Sequence, residues 1–245
     1  MASTNPAGDM LPSGPAVRLD SLDGATAALV RLSARITGAS EESVRAGLAE
    51  CGGALVPEVW VEELILQSYL FAGFPRALNA AREWRKGEGG ERRAKGDSAK
   101  GDSAKGDLAK DDGRGVRDVA ESYAALYDWR LRGEETCATV YGGMYEKLRG
   151  NIRRLHPRLD DWMIVEGYGK VLSREGLDLP RRELCIVAAC VAAQQDRQLH
   201  SHLHGSLNAG ASAEAVSATL GALRGVVPGE ALESAIRLWN RMKGK

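Results

Sequence analysis

The sequence lacks several features on which whole classes of protein depend. Its 245 residues include 33 basic and 33 acidic side chains, so the formal net charge is zero. A balanced charge gives no bulk attraction to nucleic acid or to an anionic membrane. The N-terminus carries no basic and apolar leader, and no apolar run approaches the roughly 18 residues of a membrane span. These absences predict a cytoplasmic protein with neither a nucleic-acid nor a membrane partner.

Cysteine and histidine are also scarce. The four cysteines, Cys51, Cys137, Cys185 and Cys190, form no C-x-x-C pair. Scattered cysteines are typical of reduced thiols inside the cell rather than of a disulfide framework. The first half of the chain contains no histidine, because the earliest is His156. Histidine chemistry is therefore confined to the second half.

Composition divides the chain into four segments. Residues 1–20 are rich in Gly, Pro, Ala and Ser, which predicts a flexible arm. Residues 21–86 and 118–245 carry helical patterns and predict two helical halves. Between them, residues 87–117 repeat AKGDS every five residues with few large apolar side chains. Such a segment does not bury enough surface to offset its ordering entropy, so we expect a disordered linker.

Capping residues and prolines mark the helices. Ser40 and Ser212 are suitable N-caps, Asp160 or Asp161 is expected to start another helix, and Pro180 belongs in a first turn. No stretch alternates between apolar and polar residues over the length of a strand. The pattern predicts an all-α fold.

The two halves repeat the same order of features. In each, a helix ends at glycine, an apolar helix follows, and a Gly–apolar–Pro break leads to a last helix that carries Trp84 or Trp239. A diverged internal duplication explains this order, although two helical bundles sharing turn chemistry by chance remains the alternative. Matching Gly52 with Gly210 places Val44 opposite His202, which predicts a chemically silent first half.

Three histidines cluster in LHSHLH. On a helix, His200 and His204 share a face with Asp196, whereas His202 points about half a turn away. One-turn spacing of histidines suits a transition metal, which makes Asp196, His200 and His204 one hypothesis. No further ligand is evident, and a solvent-facing polar stripe is the simpler interpretation. We expect no metal.

Residues 160–240 resemble the carboxymuconolactone decarboxylase and alkylhydroperoxidase D superfamily. The resemblance depends on EGYGKVLSREGLDLPRRELCIVAACVAAQ, on LHSHLHGSLNAGASAEAV and on GVVPGEALESAIRLW. In the first half, EELILQSYLFAGFPRALNA is similar to the terminal helices of the family. The resemblance implies an alkylhydroperoxidase D-like helical bundle built from two related halves. It also implies a homo-oligomer, a trimer or a hexamer.

The resemblance assigns a catalytic pair from neighbouring helices. The family glutamate falls on Glu183 and the family histidine on His202, with Asp196 matching an acidic residue of the decarboxylase branch. The peroxidase branch has two cysteines where this chain has Gln195 and Gln198. Without a thiolate there, cysteine peroxidase chemistry is disfavoured. The implied activity is that of a carboxy-lyase that acts on a small carboxylated lactone or related anion.

We expect His202 to donate the proton, because imidazole side chains titrate near neutral pH. Glu183 would orient the ring, and Arg182, His200 and Gln198 would contact the anionic substrate. Arg181 is a further cation that would steer it. No cofactor is required. Two alternatives stay open: a redox protein using Cys190 or Cys185, and a non-catalytic helical scaffold.

Overall fold

A computed structural model describes residues 17–87 and 119–244, with the backbone alone for 119–124. The AKGDS segment and most of the N-terminal arm lie outside these residues. Every regular element of the described part is helical, which confirms the predicted all-α class. The helices are α1 (Gly24–Gly38), α2 (Glu41–Gly53), α3 (Glu58–Lys86), α4 (Val119–Tyr141), α5 (Tyr145–Leu155), α6 (Pro157–Trp162), the π-helical segment (Met163–Leu172), α7 (Leu179–Ala192), α8 (Asp196–Asn208), α9 (Ala213–Ala222) and α10 (Gly229–Lys243).

Side-chain caps of one kind mark the starts of four helices. Asp23, Ser40, Asp178 and Ser212 each accept a hydrogen bond from the backbone N–H three residues later. Each cap satisfies one N–H that has no partner within its helix. The expected start at Asp160 is wrong: α6 begins at Pro157. Asp160 is instead buried, where it pairs with the guanidinium groups of two arginines on α5.

Helix α7 lies at the centre of the core. All of its residues from Arg182 to Val191 are buried, and α1, α3 and α8 pack against it. The Ser33 hydroxyl of α1 donates to the Cys185 carbonyl of α7 at 2.7 Å, which joins the two halves of the chain. Each fully buried Leu, Ile or Val stabilises the fold by roughly 1.5–3 kcal/mol. Because these residues are shielded from water, a polar group on this helix needs a partner within the protein.

Helices α1 to α3 and α7 to α10 repeat one backbone pattern. The turn after α2 and the turn after α8 both place a residue at positive φ, Leu55 at 54° and Gly210 at 109°. In both turns, three successive backbone N–H groups donate to carbonyls at the same relative positions. The two sets of hydrogen bonds are 155 residues apart in the chain. Alignment of the two stretches by these turns differs by three residues from the alignment expected from Gly52 and Gly210. It places Gly47, rather than Val44, at the position of His202, and Ala28 at the position of Glu183.

The end of the predicted N-terminal arm is attached to the second half. The Leu19 N–H donates to the Gly210 carbonyl at 3.0 Å, and the Ser212 N–H donates to the Leu19 carbonyl at 2.8 Å. Leu19 itself is buried. Residues 17–20 therefore form an ordered contact, in contrast to the flexible arm expected through residue 20. Within the described part, no helix is long and apolar enough to span a bilayer.

Two glycines allow α4 and the π-helical segment to cross with their backbones in contact. A Cβ atom added at Gly133 would collide with the Ile164 carbonyl, and one added at Gly169 would collide with the Trp129 carbonyl. Neither obstacle is a flexible side chain, so it does not move aside. This close crossing holds Tyr168, the neighbour of Gly169, against α4.

The crossing gives a stability prediction. Gly169→Ala is expected to destabilise the fold by at least about 2–3 kcal/mol, because the methyl group overlaps the α4 backbone. Chemical denaturation followed by circular dichroism measures the change. Gly167→Ala is the matched control, since nothing lies within 4 Å of its added Cβ. Equal stability of the two variants would contradict the backbone contact.

Candidate functional site

Glu183 and His202 form a buried pair between α7 and α8. The Glu183 Oε2 atom lies 2.8 Å from His202 Nδ1. The Glu183 side chain is fully buried and that of His202 is 7% exposed. Because Nδ1 faces the carboxylate, the neutral ring donates its Nδ1 proton to Glu183. This leaves Nε2 as the nitrogen that exchanges a proton with a bound molecule.

The second carboxylate oxygen of Glu183, Oε1, is buried and makes no hydrogen bond within the described part of the chain. Two thiols and two phenols lie near enough to interact electrostatically with the carboxylate: Cys137, Tyr141, Tyr168 and Cys190. An unsatisfied buried acceptor costs about 1–3 kcal/mol. The site thus retains an acceptor that a bound molecule with an O–H or N–H can use.

Gly205 leaves room for the pair. A Cβ atom at this position would lie 2.7 Å from Glu183 Oε2 and 2.7 Å from a methyl carbon of Val140. Any larger residue would therefore push the carboxylate out of place. The histidine at position 202 and the glycine one turn later on α8 act together, since one supplies the ring and the other the space for its partner.

The first half of the chain supplies one wall of the site. The Phe71 ring of α3 meets the His202 ring edge-to-face, with centroids 5.7 Å apart. Glu63, Gln67 and Phe71 lie four residues apart and so share a face of α3. Through Glu63 and Gln67 this face also binds Arg182. One stripe of α3 thus fixes both α7 and the imidazole.

Residues 161–241 match the model of the carboxymuconolactone decarboxylase family. The matched stretch contains both Glu183 and His202. No curated protein is significantly similar to the chain. The family match supports the helical fold, and it covers α7 to α9 and most of α10 but none of α1 to α4.

Arg182 is adjacent to Glu183 in sequence, but its side chain contacts other parts of the protein. Its fully buried guanidinium pairs with Glu63 at 2.8 Å and also donates to Gln67 and to the Leu177 carbonyl. These contacts hold the guanidinium in the core, between α3 and the loop before α7. Arg181 is likewise paired, with Asp23 and Asp178. The two arginines proposed to hold an anion are thus engaged with acids of the chain.

The remaining sequence candidates lie outside the pair. Asp196, Gln198 and His200 are exposed at the start of α8, and Asp196 lines a separate cleft of about 160 Å³. His200 and His204 contact each other, with ring centroids 5.0 Å apart. Among the described residues, no group of three or more possible metal ligands comes together. The metal hypothesis for Asp196, His200 and His204 has no support from this geometry.

The thiols are placed unfavourably for redox chemistry. All four cysteines are buried and free. Burial, reinforced by nearby Glu183, raises the pKa of Cys190 to about 12. Burial likewise raises the pKa of Cys185. Because the thiolate is the reactive form, neither cysteine is suited to attack a peroxide near neutral pH.

Several site residues escaped the sequence interpretation. Phe71, Val140 and Tyr168 come from three elements outside the histidine-bearing helix. Nothing in the sequence distinguishes Gly205 from any other glycine within a helix. The apolar character of these residues predicts burial, but no spacing rule relates α3 or α4 to α8. The one available signal is the shared face of Glu63, Gln67 and Phe71. Its two polar side chains, one turn apart, interrupt a mostly apolar helix.

The contact between Phe71 and His202 can be observed directly, because the chain has only two phenylalanines. Protein labelled with 4-fluorophenylalanine should give two fluorine resonances. We expect the Phe71 signal to move in His202→Gln, because the imidazole ring that lies against it is removed. Phe74 is the control, since it is 64% exposed and stacks on Tyr69, so its signal should stay in place. Phe74→Leu assigns the signals, and an unchanged Phe71 signal in His202→Gln would contradict the contact.

Proposed function

We propose that the chain is a carboxy-lyase that decarboxylates a small carboxylated lactone or related anion by proton transfer. The observation that carries the proposal is the buried Glu183–His202 pair with its unpartnered carboxylate oxygen. A satisfied structural pair would not leave a charged acceptor buried without a donor. Carboxylates and imidazoles with specific partners in water-poor surroundings are typical of catalytic acids and bases.

The reaction needs one proton from the protein. The bond between the substrate's ring carbon and its carboxylate breaks, carbon dioxide leaves, and the bonding electrons pass into an enolate. Protonated His202 then gives its Nε2 proton to the carbon, and the neutral ring regains a proton from solvent. Glu183 holds the ring through Nδ1 and stabilises its charged form.

The surroundings of the pair suit the loss of a charged group. Phe71 and Val140 present apolar atoms, and Arg182 is turned towards Glu63. Carbon dioxide is uncharged, so apolar atoms beside the breaking bond favour the product over the carboxylate. They lower the barrier to its departure, provided that binding elsewhere offsets the cost of desolvation.

Removal of the pair tests the proposal. Wild type is expected to release carbon dioxide from a member of a panel of carboxylated lactones and β-keto acids. His202→Ala and Glu183→Gln should each lower the rate by about 100-fold or more, as expected when a general acid–base is lost. His200→Ala is the matched control, because this exposed histidine lies two residues from His202 and should leave the rate unchanged.

Circular dichroism of each variant separates a lost catalyst from a lost fold. If no compound reacts, or if the folded variants keep the full rate, the decarboxylase proposal fails. A fold without chemistry, the scaffold alternative, would then explain the data. Reaction of wild type with hydroperoxides, blocked by alkylation of Cys190, would instead favour the redox alternative.

We also propose that the first half is a degenerate copy of the family unit. Its backbone repeats the turns of the second half, but Ala28 and Gly47 stand where Glu183 and His202 would be. Neither side chain can accept or donate a proton. The first half then serves as the partner surface of the active half, through the stripe of α3 that meets Arg182 and His202.

Self-association is a further proposal. Large apolar side chains are exposed on α4, α5 and α6 and at the start of α5: Leu131, Met144, Leu155, Leu159 and Trp162. Association would cover such exposed apolar side chains, and a net charge of zero does not oppose it. We expect a trimer or a hexamer in solution, and Leu159→Asp to reduce the mass measured by light scattering. A monomeric wild type would exclude it.

A further inference from the structure

A cleft opens where α3, α4, the π-helical segment and α7 converge. Its volume is about 490 Å³, within the roughly 300–1,000 Å³ typical of small-molecule sites. Both halves of the chain line it, and none of the residues predicted from the sequence takes part. Its main side chains are Trp60, Thr136, Leu172, Arg174, Asp178 and Leu179.

Three of these elements connect the cleft to the buried pair. On each of these three elements, one residue lines the cleft. A second residue, four positions away, is Glu183 or a neighbour of its side chain. Residues four apart share a helix face and lie about 6 Å apart along its axis. The pairs, with the cleft residue first, are Thr136 and Val140, Leu172 and Tyr168, and Leu179 and Glu183. The cleft therefore lies about one helical turn from the catalytic carboxylate.

Arg174 gives the cleft a basic side chain that is partly free. It is 46% exposed, and its Nε and Nη2 atoms bind Glu63 at 2.8–3.1 Å, which leaves Nη1 for a ligand. Glu63 also binds Arg182 at 2.8 Å, so it keeps a cation if Arg174 is changed. Two acidic side chains line the cleft as well: Asp178 is paired with Arg181, and Glu175 is exposed.

We propose that this cleft is the substrate-binding cleft of the Glu183–His202 site, and that Arg174 draws the carboxylated ligand into it. The chemical step rests on the proposed function, whereas binding in the cleft is a separate property. Arg174 thus takes the role that sequence proximity had suggested for Arg182. Leu179 and the part of Trp60 not covered by the Arg181 guanidinium, which lies 4.3 Å from the ring centroid, supply the apolar surface against which a small ring packs.

A thiol introduced in the cleft reports occupancy. The four native cysteines are buried, so N-ethylmaleimide labelling of wild type gives a low background. In Thr136→Cys, the probe 5-oxotetrahydrofuran-2-carboxylate is expected to slow labelling about tenfold at ten times its Kd, because only unoccupied protein reacts. Thr139→Cys is the matched control: Thr139 is exposed on the same helix and does not line the cleft, so its labelling rate should not change.

Charge variants identify the group that recognises the anion. In the Thr136→Cys background, Arg174→Gln should weaken protection by the carboxylate about tenfold or more, as for loss of a charge-assisted hydrogen bond. The uncharged N-methylamide of the same lactone should bind both proteins equally. Glu175→Gln should tighten carboxylate binding by removing a like charge. Arg158→Gln, an exposed arginine outside the cleft, should have no effect.

The outcomes separate the cleft from the chemistry. Absence of protection at Thr136→Cys, equal protection at Thr139→Cys, failure of the introduced thiol to react, or no effect of Arg174→Gln would each overturn the assignment. Protection without release of carbon dioxide from any compound would keep the cleft and refute the decarboxylase proposal. Suppose instead that carbon dioxide is released and the release is lost in His202→Ala, but Thr136→Cys is not protected. This result would keep the decarboxylase proposal and refute the cleft.

Discussion

Glu183 places a carboxylate on the most deeply buried helix of the molecule, and its surroundings are arranged around that charge. An ionised carboxylate without partners costs several kcal/mol in such a position. One oxygen is satisfied by His202, which requires α8 to pack close to α7 and glycine to occupy position 205. The other oxygen has no donor among the described residues. The fold thus tolerates a local cost beside a histidine, and such costs are concentrated at functional sites.

The helix boundaries were predictable because their causes are local. Asp178 and Ser212 cap helices through an N–H three residues away, and such patterns can be found without knowledge of the tertiary fold. The start of α6 was misplaced because Asp160 resembles a cap in sequence. In the structure, α5 presents Arg149 and Arg153 to it, and a buried ion pair takes precedence over capping.

The site was predictable only as far as its central pair. Glu183 and His202 follow from resemblance, but their neighbours in sequence are poor guides to their neighbours in space. Successive helical residues point about 100° apart, so Arg182 faces α3 while Glu183 faces α8. Likewise, His202 is buried, whereas the side chain of His200, two residues earlier, is exposed. Arg174 is distant from both in sequence and was overlooked, because only the packing of α3 against the loop before α7 gives it a cleft.

The turns after α2 and after α8 have the same backbone hydrogen bonds. When these turns are aligned, Ala28 and Gly47 stand where the second half has Glu183 and His202, so the first half has no buried pair of that kind. Its α3 presents Glu63, Gln67 and Phe71 to the second half along a single face. Glu63 binds both Arg182 in the core and Arg174 in the cleft. One acidic side chain of the first half therefore links the support of α7 to the exposed Arg174 of the cleft. A change in α3 should alter binding and the position of the imidazole together, even though α3 supplies no group that reacts.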